Sequence, residues 1–319
     1  MSAVAPAPMQ ATVTPLNELA AIRVAGRDRV QFLQSQLTND IELLDATRVM
    51  SAAWCDPKGR TLALFQICAF GDEILLICPR EVAEAVLPKL RMYVMRLKTT
   101  LVVDDDLSLI GFHGAPSVLA LTLPGIQTPP ADGRGIEHDG GKFLALRGDY
   151  RWLGIVYAAR TEHLIAEALH NGCRVGEADS WRLAGILAGD PQIYAQTSGE
   201  FVPQMVNLEL LDGVSFSKGC YPGQEIVART QYLGKIKRRT FGFKLHTDAT
   251  PEPGTAVLNF DGTRIGQIVD AANDGNGYTH GLAVLRVEAT QAADAQLQTM
   301  GLPLELVSLP YSLIPNPTS

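Results

Sequence analysis

The stretch FSKGCYPGQEIVART occupies Phe216–Thr230 and holds one cysteine, two glycines, one proline and charges of both signs. Pro222 suits the first position of a helix, where its missing N–H costs nothing. Gln224 and Glu225 follow in the first turn, where an acid suits the positive end of the helix. Glu225 and Arg229 stand four apart, the favourable order for a helical ion pair. The spacing therefore predicts a helix over 222–230, with Cys220 immediately before it and Lys218 two residues upstream. A helix N-terminus and a lysine both favour thiolate over thiol. Gly219 and Gly223 would leave room for a partner to approach. The competing reading is a buried structural cysteine in a tight loop, with the glycines serving only the backbone.

Outward from the motif, the chain bounds the possibilities. Its 319 residues allow two or three domains, and 46% hydrophobic with 19% charged residues is a globular composition. A net charge of -7 and a pI near 5.4 disfavour direct DNA binding. The five cysteines (Cys55, Cys68, Cys78, Cys173 and Cys220) are dispersed and form no Cys-x-x-Cys. The six histidines show no paired ligand spacing. No resident metal is expected, and a reducing cytoplasm suits the pattern better than a disulfide framework. The opening MSAVAPAPMQATVTP lacks a basic segment and a long apolar run, so it reads as a loose tail and not a signal peptide. No apolar stretch is long enough to suggest a membrane span.

Three regions follow from the patterning: a tail over 1–18, an α+β region over 19–240, and strand-rich sequence over 241–319. LAAIRVAG reads as a strand and RVQFLQSQLTNDI as a helix with Asp28 as its cap. TLALFQICAFGDEILLICP reads as a hairpin. A helix is expected from Pro79 to about Met95. Asp104-Asp105-Asp106 reads as a solvated turn, since alternate carboxylates need further ligands to hold a cation. TEHLIAEALHNG is a helix capped by Thr161, and DSWRLAGILAGDP a shorter one capped by Asp179 or Ser180. Trp181 on that helix reads first as core. Lys235, Lys237, Arg238 and Arg239 read as a solvated domain junction. Beyond about 240, short strands with turns at Asp261-Gly262 and Gly275–Gly277 predict a small antiparallel barrel or sandwich.

FVPQMVNLELLDGVSFSKGCYPGQEIVARTQYLGKIKRR, residues 201–239, strongly resembles the signature of the YgfZ-type folate-binding proteins, relatives of the glycine-cleavage aminomethyltransferases. RVQFLQSQLTNDI, AAWCDPKGR, WRLAGILAGDP and the terminal LPYSL fall in the same family order. The resemblance implies a cloverleaf of two α+β units and a C-terminal β-barrel around a folate-sized opening. It implies a role in making or maintaining iron–sulfur proteins, and through them tRNA thiomodification, with those proteins or their assembly factors as partners. Carried over residue by residue, Cys220 is the functional thiol, framed by Lys218, Gly219, Tyr221, Gly223, Gln224, Glu225 and Arg229. Trp181 matches a tryptophan of the family's folate pocket, so tetrahydrofolate or another folate is the expected small molecule. The chain departs from the transferases at Ala63 and Leu64, where they carry paired acids, and at Leu187, where relatives carry a folate-contacting glutamate. At Leu19 some relatives have an aromatic. An accessory factor acting through Cys220, with weak folate binding, is the reading these departures favour. The alternative is a tetrahydrofolate-dependent aminomethyl or one-carbon transferase.

Overall fold

The computed structural model describes residues 11–114, 130–148, 150–232, 234–291 and 296–313. Strand β1 (Thr12–Pro15) opens them, so the expected tail is shorter than 1–18. Residues 12–15 are held by antiparallel pairing to a strand of the second sheet, and residues 1–10 lie outside the described chain. The first unit is a five-stranded antiparallel sheet. It is formed by β2 (Leu19–Ala25), β3 (Val49–Cys55), β4 (Thr61–Phe70), β5 (Glu73–Pro79) and β6 (Thr100–Val103), in the order β3-β4-β5-β2-β6. Helices α1 (Arg29–Gln36) and α2 (Arg80–Met92) cover one face. Phe32, Leu33, Val82 and Val86 pack there on Ile22, Phe65 and Ile67.

Side chains alternate across a strand, so the neighbours of that set face the other way. Ala21, Cys68, Leu75 and Ile77 meet Leu109, Leu144, Leu153 and Ile155 of a second sheet. Both faces of the first sheet are therefore buried, which explains why its strands read as nearly continuous apolar runs. The second sheet contains β1 with β7 (Leu107–His113), β8 (Gly135–His138), β9 (Gly141–Ala145), β10 (Arg151–Tyr157) and β11 (Arg174–Val175), in the order β11-β1-β7-β10-β9-β8. Its outer face carries α3 (Thr161–His170) through Leu164 and Ala168.

The third unit is a closed antiparallel barrel of β12 (Arg238–Leu245), β13 (Ala256–Asn259), β14 (Arg264–Asn273), β15 (Thr279–Arg286), β16 (Leu297–Thr299) and β17 (Leu302–Val307). Closure removes free edges. Phe243 fills its interior beside Ile268 and Leu285. A Cβ on Gly281 would stand 2.2 Å from the Phe243 ring, so glycine is what lets that ring lie in the barrel. The outer face of the barrel packs on Phe201, Val206 and Leu208, in the loop that leads to the cysteine motif. Two α+β units and a β-barrel are thus the architecture.

Several local expectations change. Asp28 does not cap α1 with its side chain; its carboxylate accepts from the Lys98 N–H instead. Helix α2 ends at Met92 and not near Met95. Thr161 lies inside α3, after Arg160 as the cap residue. The helix α4 (Ala178–Leu187) has Glu177 as its cap residue, not Asp179 or Ser180. Arg239 is no solvated junction residue: it is buried and 2.7 Å from Glu209, which is buried as well. The Asp104–Asp106 segment is, as expected, a turn between β6 and β7 with Asp105 and Asp106 exposed; Asp104 is tied to Arg23, and Asp105 to Arg80 at 2.9 Å.

Candidate functional site

The residues before the motif set its position. In the short 3-10 turns from Pro203 to Leu211, Asn207 adopts φ 59° and is fully buried. Its Nδ2 donates to the Thr240 carbonyl at 2.9 Å, fastening the loop to β12. Gln204 Nε2 donates at 2.8 Å to the carbonyl of Val227, on the helix that follows the motif. That helix, α5, runs Gln224–Tyr232. It begins two residues later than expected because Gly223 takes φ 81°, a left-handed conformation outside any helix. Pro222 therefore belongs to a turn before α5. The turn is closed by Gln224, whose N–H donates to the Tyr221 carbonyl and whose Nε2 donates to the Gly219 carbonyl.

The two motif glycines have different duties. Nothing lies within 4 Å of the place a Cβ would take at Gly219, so that side of the loop is open. At Gly223 a Cβ would fall 2.5 Å from the Asp56 carbonyl oxygen and 2.6 Å from the Gly59 Cα. Gly223 does not clear space for a partner; it seats the motif on the Asp56–Arg60 turn. Cys220, beside Gly219, is exposed, whereas Cys55, Cys68, Cys78 and Cys173 are buried. Burial pushes the thiols of Cys55 and Cys68 up to about 12, and that of Cys78 further.

Lys218 departs most from the reading of the sequence. Its side chain is buried, and its ammonium donates to the carbonyls of Gln34 at 2.6 Å, Leu37 at 2.7 Å and Asn39 at 2.8 Å. Gln34 is in the last turn of α1, where a helix leaves its carbonyls unpaired, Leu37 is the residue that ends the helix, and Asn39 is in the loop just beyond. Lys218 thus clamps α1 to the motif and is not a counter-charge aimed at Cys220. Burial pulls its pKa down to about 8, opposed by the nearby carboxylates of Asp40 and Glu42. Tyr221 turns inward, with its ring 5.4 Å from the Lys218 ammonium and its hydroxyl buried without a partner. Glu225 and Arg229 are both exposed, and among the described residues no ion pair joins them.

The second part of the site is a pair of cavities, about 770 and 550 Å³, that share Gln66, Leu146, Asp190 and Gln192 as walls. The larger is also lined by Phe216, Ser217 and Tyr232 around the motif, and by Leu64. Ala63, its neighbour, points into the core of the first unit. The smaller is lined by Leu19, Glu18, Arg151, Trp181 and Arg182. Trp181 is in the cavity wall, but it is no free stacking platform. The Arg151 guanidinium lies 4.6 Å over its ring, and a Cβ on Gly111 would come within 2.6 Å of it. Arg151 is paired with Asp190 at 2.8 Å, and Arg182 with the buried Asp270 at 2.6 Å. Tyr194 donates to the second oxygen of Asp270 at 3.0 Å. Glu18, raised in pKa chiefly by its burial, completes the acids. Leu187 is 54% exposed and lines neither cavity, so the departure there says nothing about the pocket. Sequence reading missed Glu18, Arg151, Asp190 and Asp270, which share no local motif and meet only through the packing of three units.

Among the described residues no three metal-capable side chains cluster, and no helix is long and apolar enough to cross a membrane. No family model matches the chain. It is 31% identical over 313 residues to a tRNA-modifying protein YgfZ of Pectobacterium carotovorum, covering 95% of this chain and 94% of that one. It is 32% identical over 311 residues to the YgfZ of Serratia proteamaculans, covering 95% and 93%. Among solved structures it is similar to glycine cleavage system aminomethyltransferase T from Bartonella henselae. The TM-score is 0.78 and the identity 17%, over 94% of this chain and 86% of that one. The architecture is thus aminomethyltransferase-like, and by sequence the chain belongs to the family of the tRNA-modifying YgfZ proteins.

Proposed function

We propose that this protein is an accessory factor for making or repairing iron–sulfur proteins, and so for tRNA thiomodification, with Cys220 as its working thiol. The observation that carries the reading is Cys220 itself: it is the exposed cysteine, on a loop held from behind by Lys218, Gln204 and Gly223. A fixed, accessible sulfur beside an open glycine can make a transient mixed disulfide or serve as one shared ligand of a client's cluster. A single cysteine cannot hold a cluster alone, so the client or another factor supplies the remaining ligands. The relatives' name places them in tRNA modification, which fits this role.

The smaller cavity fits a folate. Its size lies within the usual range for small-molecule sites. Glu18 and Asp190 can accept from the donor edge of a pterin, and the buried Nε atoms of Arg151 and Arg182 are without partners. Bound folate would supply one-carbon chemistry in a transferase, but Leu64 lines the larger cavity at a position where transferases carry an acid. No carboxylate at that position is then available for proton transfer. The test is a Cys220→Ser variant in a strain lacking its own homologue. Iron–sulfur enzyme activity and methylthiolated tRNA should both stay at the level of the deletion. Full restoration of both by the variant would overturn the reading.

A further inference from the structure

The end of α2 and the segment that follows it gather exposed apolar and basic side chains. Between residues 85 and 103 the sequence carries Lys89, Arg91, Arg96 and Lys98 and no acid, in a protein of net charge -7. Among them stand Met92, Tyr93 and Met95, exposed to 70%, 42% and 86%. Val102 on β6, the last strand of its sheet, is exposed as well. A soluble surface rarely gathers large apolar side chains in this way without using them.

The segment is also held. Arg91 donates twice to the Leu101 carbonyl, at 2.8 and 2.6 Å, which ties the end of α2 to β6. The Lys98 N–H is fixed by Asp28, and a Cβ on Gly26 would fall 2.2 Å from the Lys98 carbonyl oxygen. Tyr93 meets the buried Trp54 edge-on at 6.3 Å. Met95 is kept at φ 48°, a conformation that costs an unbranched side chain on the order of 1 kcal/mol. The fold thus holds the most exposed methionine among the described residues in an unfavourable backbone conformation, within a basic stretch of sequence.

We propose that residues 89–98 form a docking surface for an acidic, amphipathic helical segment of a partner protein. Methionine, tyrosine and arginine are the side chains enriched where proteins meet, and methionine adapts to irregular apolar faces. Among the described residues Lys89, Arg96 and Lys98 have no ion-pair partner, so they are free to receive carboxylates around the apolar centre. A nucleic acid would use the cations but gain little from two methionines. A second copy docking through the same face about a two-fold axis would set like charges against each other. The surface stands whether or not Cys220 acts as a thiol.

The probe is a fluorescein-labelled amphipathic peptide with leucine on one face and glutamate on the other, titrated with the full chain and read by anisotropy. Saturable binding that weakens with salt is expected. A Met95→Ser/Arg96→Glu double variant should bind roughly tenfold more weakly, as should a peptide with glutamine in place of glutamate. Both side chains are exposed, so the variant's thermal melt should match wild type; Lys98→Glu is the second variant should it not. Equal binding by wild type and variants, or no binding, overturns the proposal. So does a tRNA transcript that binds instead and is lost in the same variant, or a concentration-dependent dimer that the variant abolishes.

Discussion

The cysteine loop and the cavity beside Trp181 treat their side chains in opposite ways. At the loop, the Cys220 thiol faces out and the charged Lys218 is buried behind it. At the cavity, the aromatic side chain is covered and the charged ones face the space. Lys218 spends its ammonium on three carbonyls at and just after the end of α1, while Arg151 lies over Trp181 and leaves its Nε unpaired. The loop is a rigid mount for one exposed sulfur, and the cavity is a polar chamber whose ring is already in use. Residue type singled out Cys220, Lys218 and Trp181; only packing told which way each one points.

The largest effect that would break this contrast is expected at Lys218. Lys218→Met should cost about 3–5 kcal/mol of stability, because it leaves buried carbonyls at the end of α1 without a donor. Urea unfolding measures it, and a loss under 1 kcal/mol would mean that the clamp is not what holds the loop. The next effect separates the glycines. Gly223→Ala should cost about 1–3 kcal/mol through its positive φ and its closeness to the Asp56–Gly59 turn. Gly219→Ala should fall within about 0.5 kcal/mol of wild type, since nothing stands near it.

A smaller effect depends on pH. The folded-state pKa values of Cys55 and Cys68 are raised to about 12, above an ordinary thiol. Unfolded chains then lose these protons first, so the contribution is fully present below pH 9 and is lost as pH rises toward about 12. The slope should approach about 1.4 kcal/mol per pH unit for each buried thiol. Cys55→Ala should flatten the alkaline loss of stability. An unchanged alkaline slope in that variant would mean that burial of the thiol does not set the pH dependence. The smallest effect is at Leu187. Leu187→Glu should leave both folate affinity and stability unaltered, because the side chain lines neither cavity. A tighter folate titration in that variant would put Leu187 back at the ligand.

The strands and turns were legible because their signals are local, whereas the division of 19–240 into two units came from the family resemblance alone. Alternation in LAAIRVAG, the Gly71-Asp72 turn and the Asp261-Gly262 turn each fix a strand end within a few residues. The length of the tail was not, since Thr12–Pro15 becomes a strand only by pairing with Leu107–His113, far along the chain. The site divides in the same way. Cys220, Gly219 and Gln224 could be read from the motif, whereas the bonds from Lys218 to α1 join residues about 180 positions apart. Nothing in FSKGCY states that a carbonyl of Leu37 lies behind it. The helix start also shifted, because Pro222 predicts a first turn only if Gly223 is helical, and Gly223 takes φ 81° instead.

The central claim is that Cys220 is the sulfur this protein offers to others. The direct measurement is alkylation of the native protein by iodoacetamide, followed by mass spectrometry of its peptides. Cys220 should be labelled in the folded protein, while Cys55, Cys68 and Cys78 should be labelled only after denaturation. If Cys220 resists until the protein unfolds, the thiol is structural and the account is contradicted.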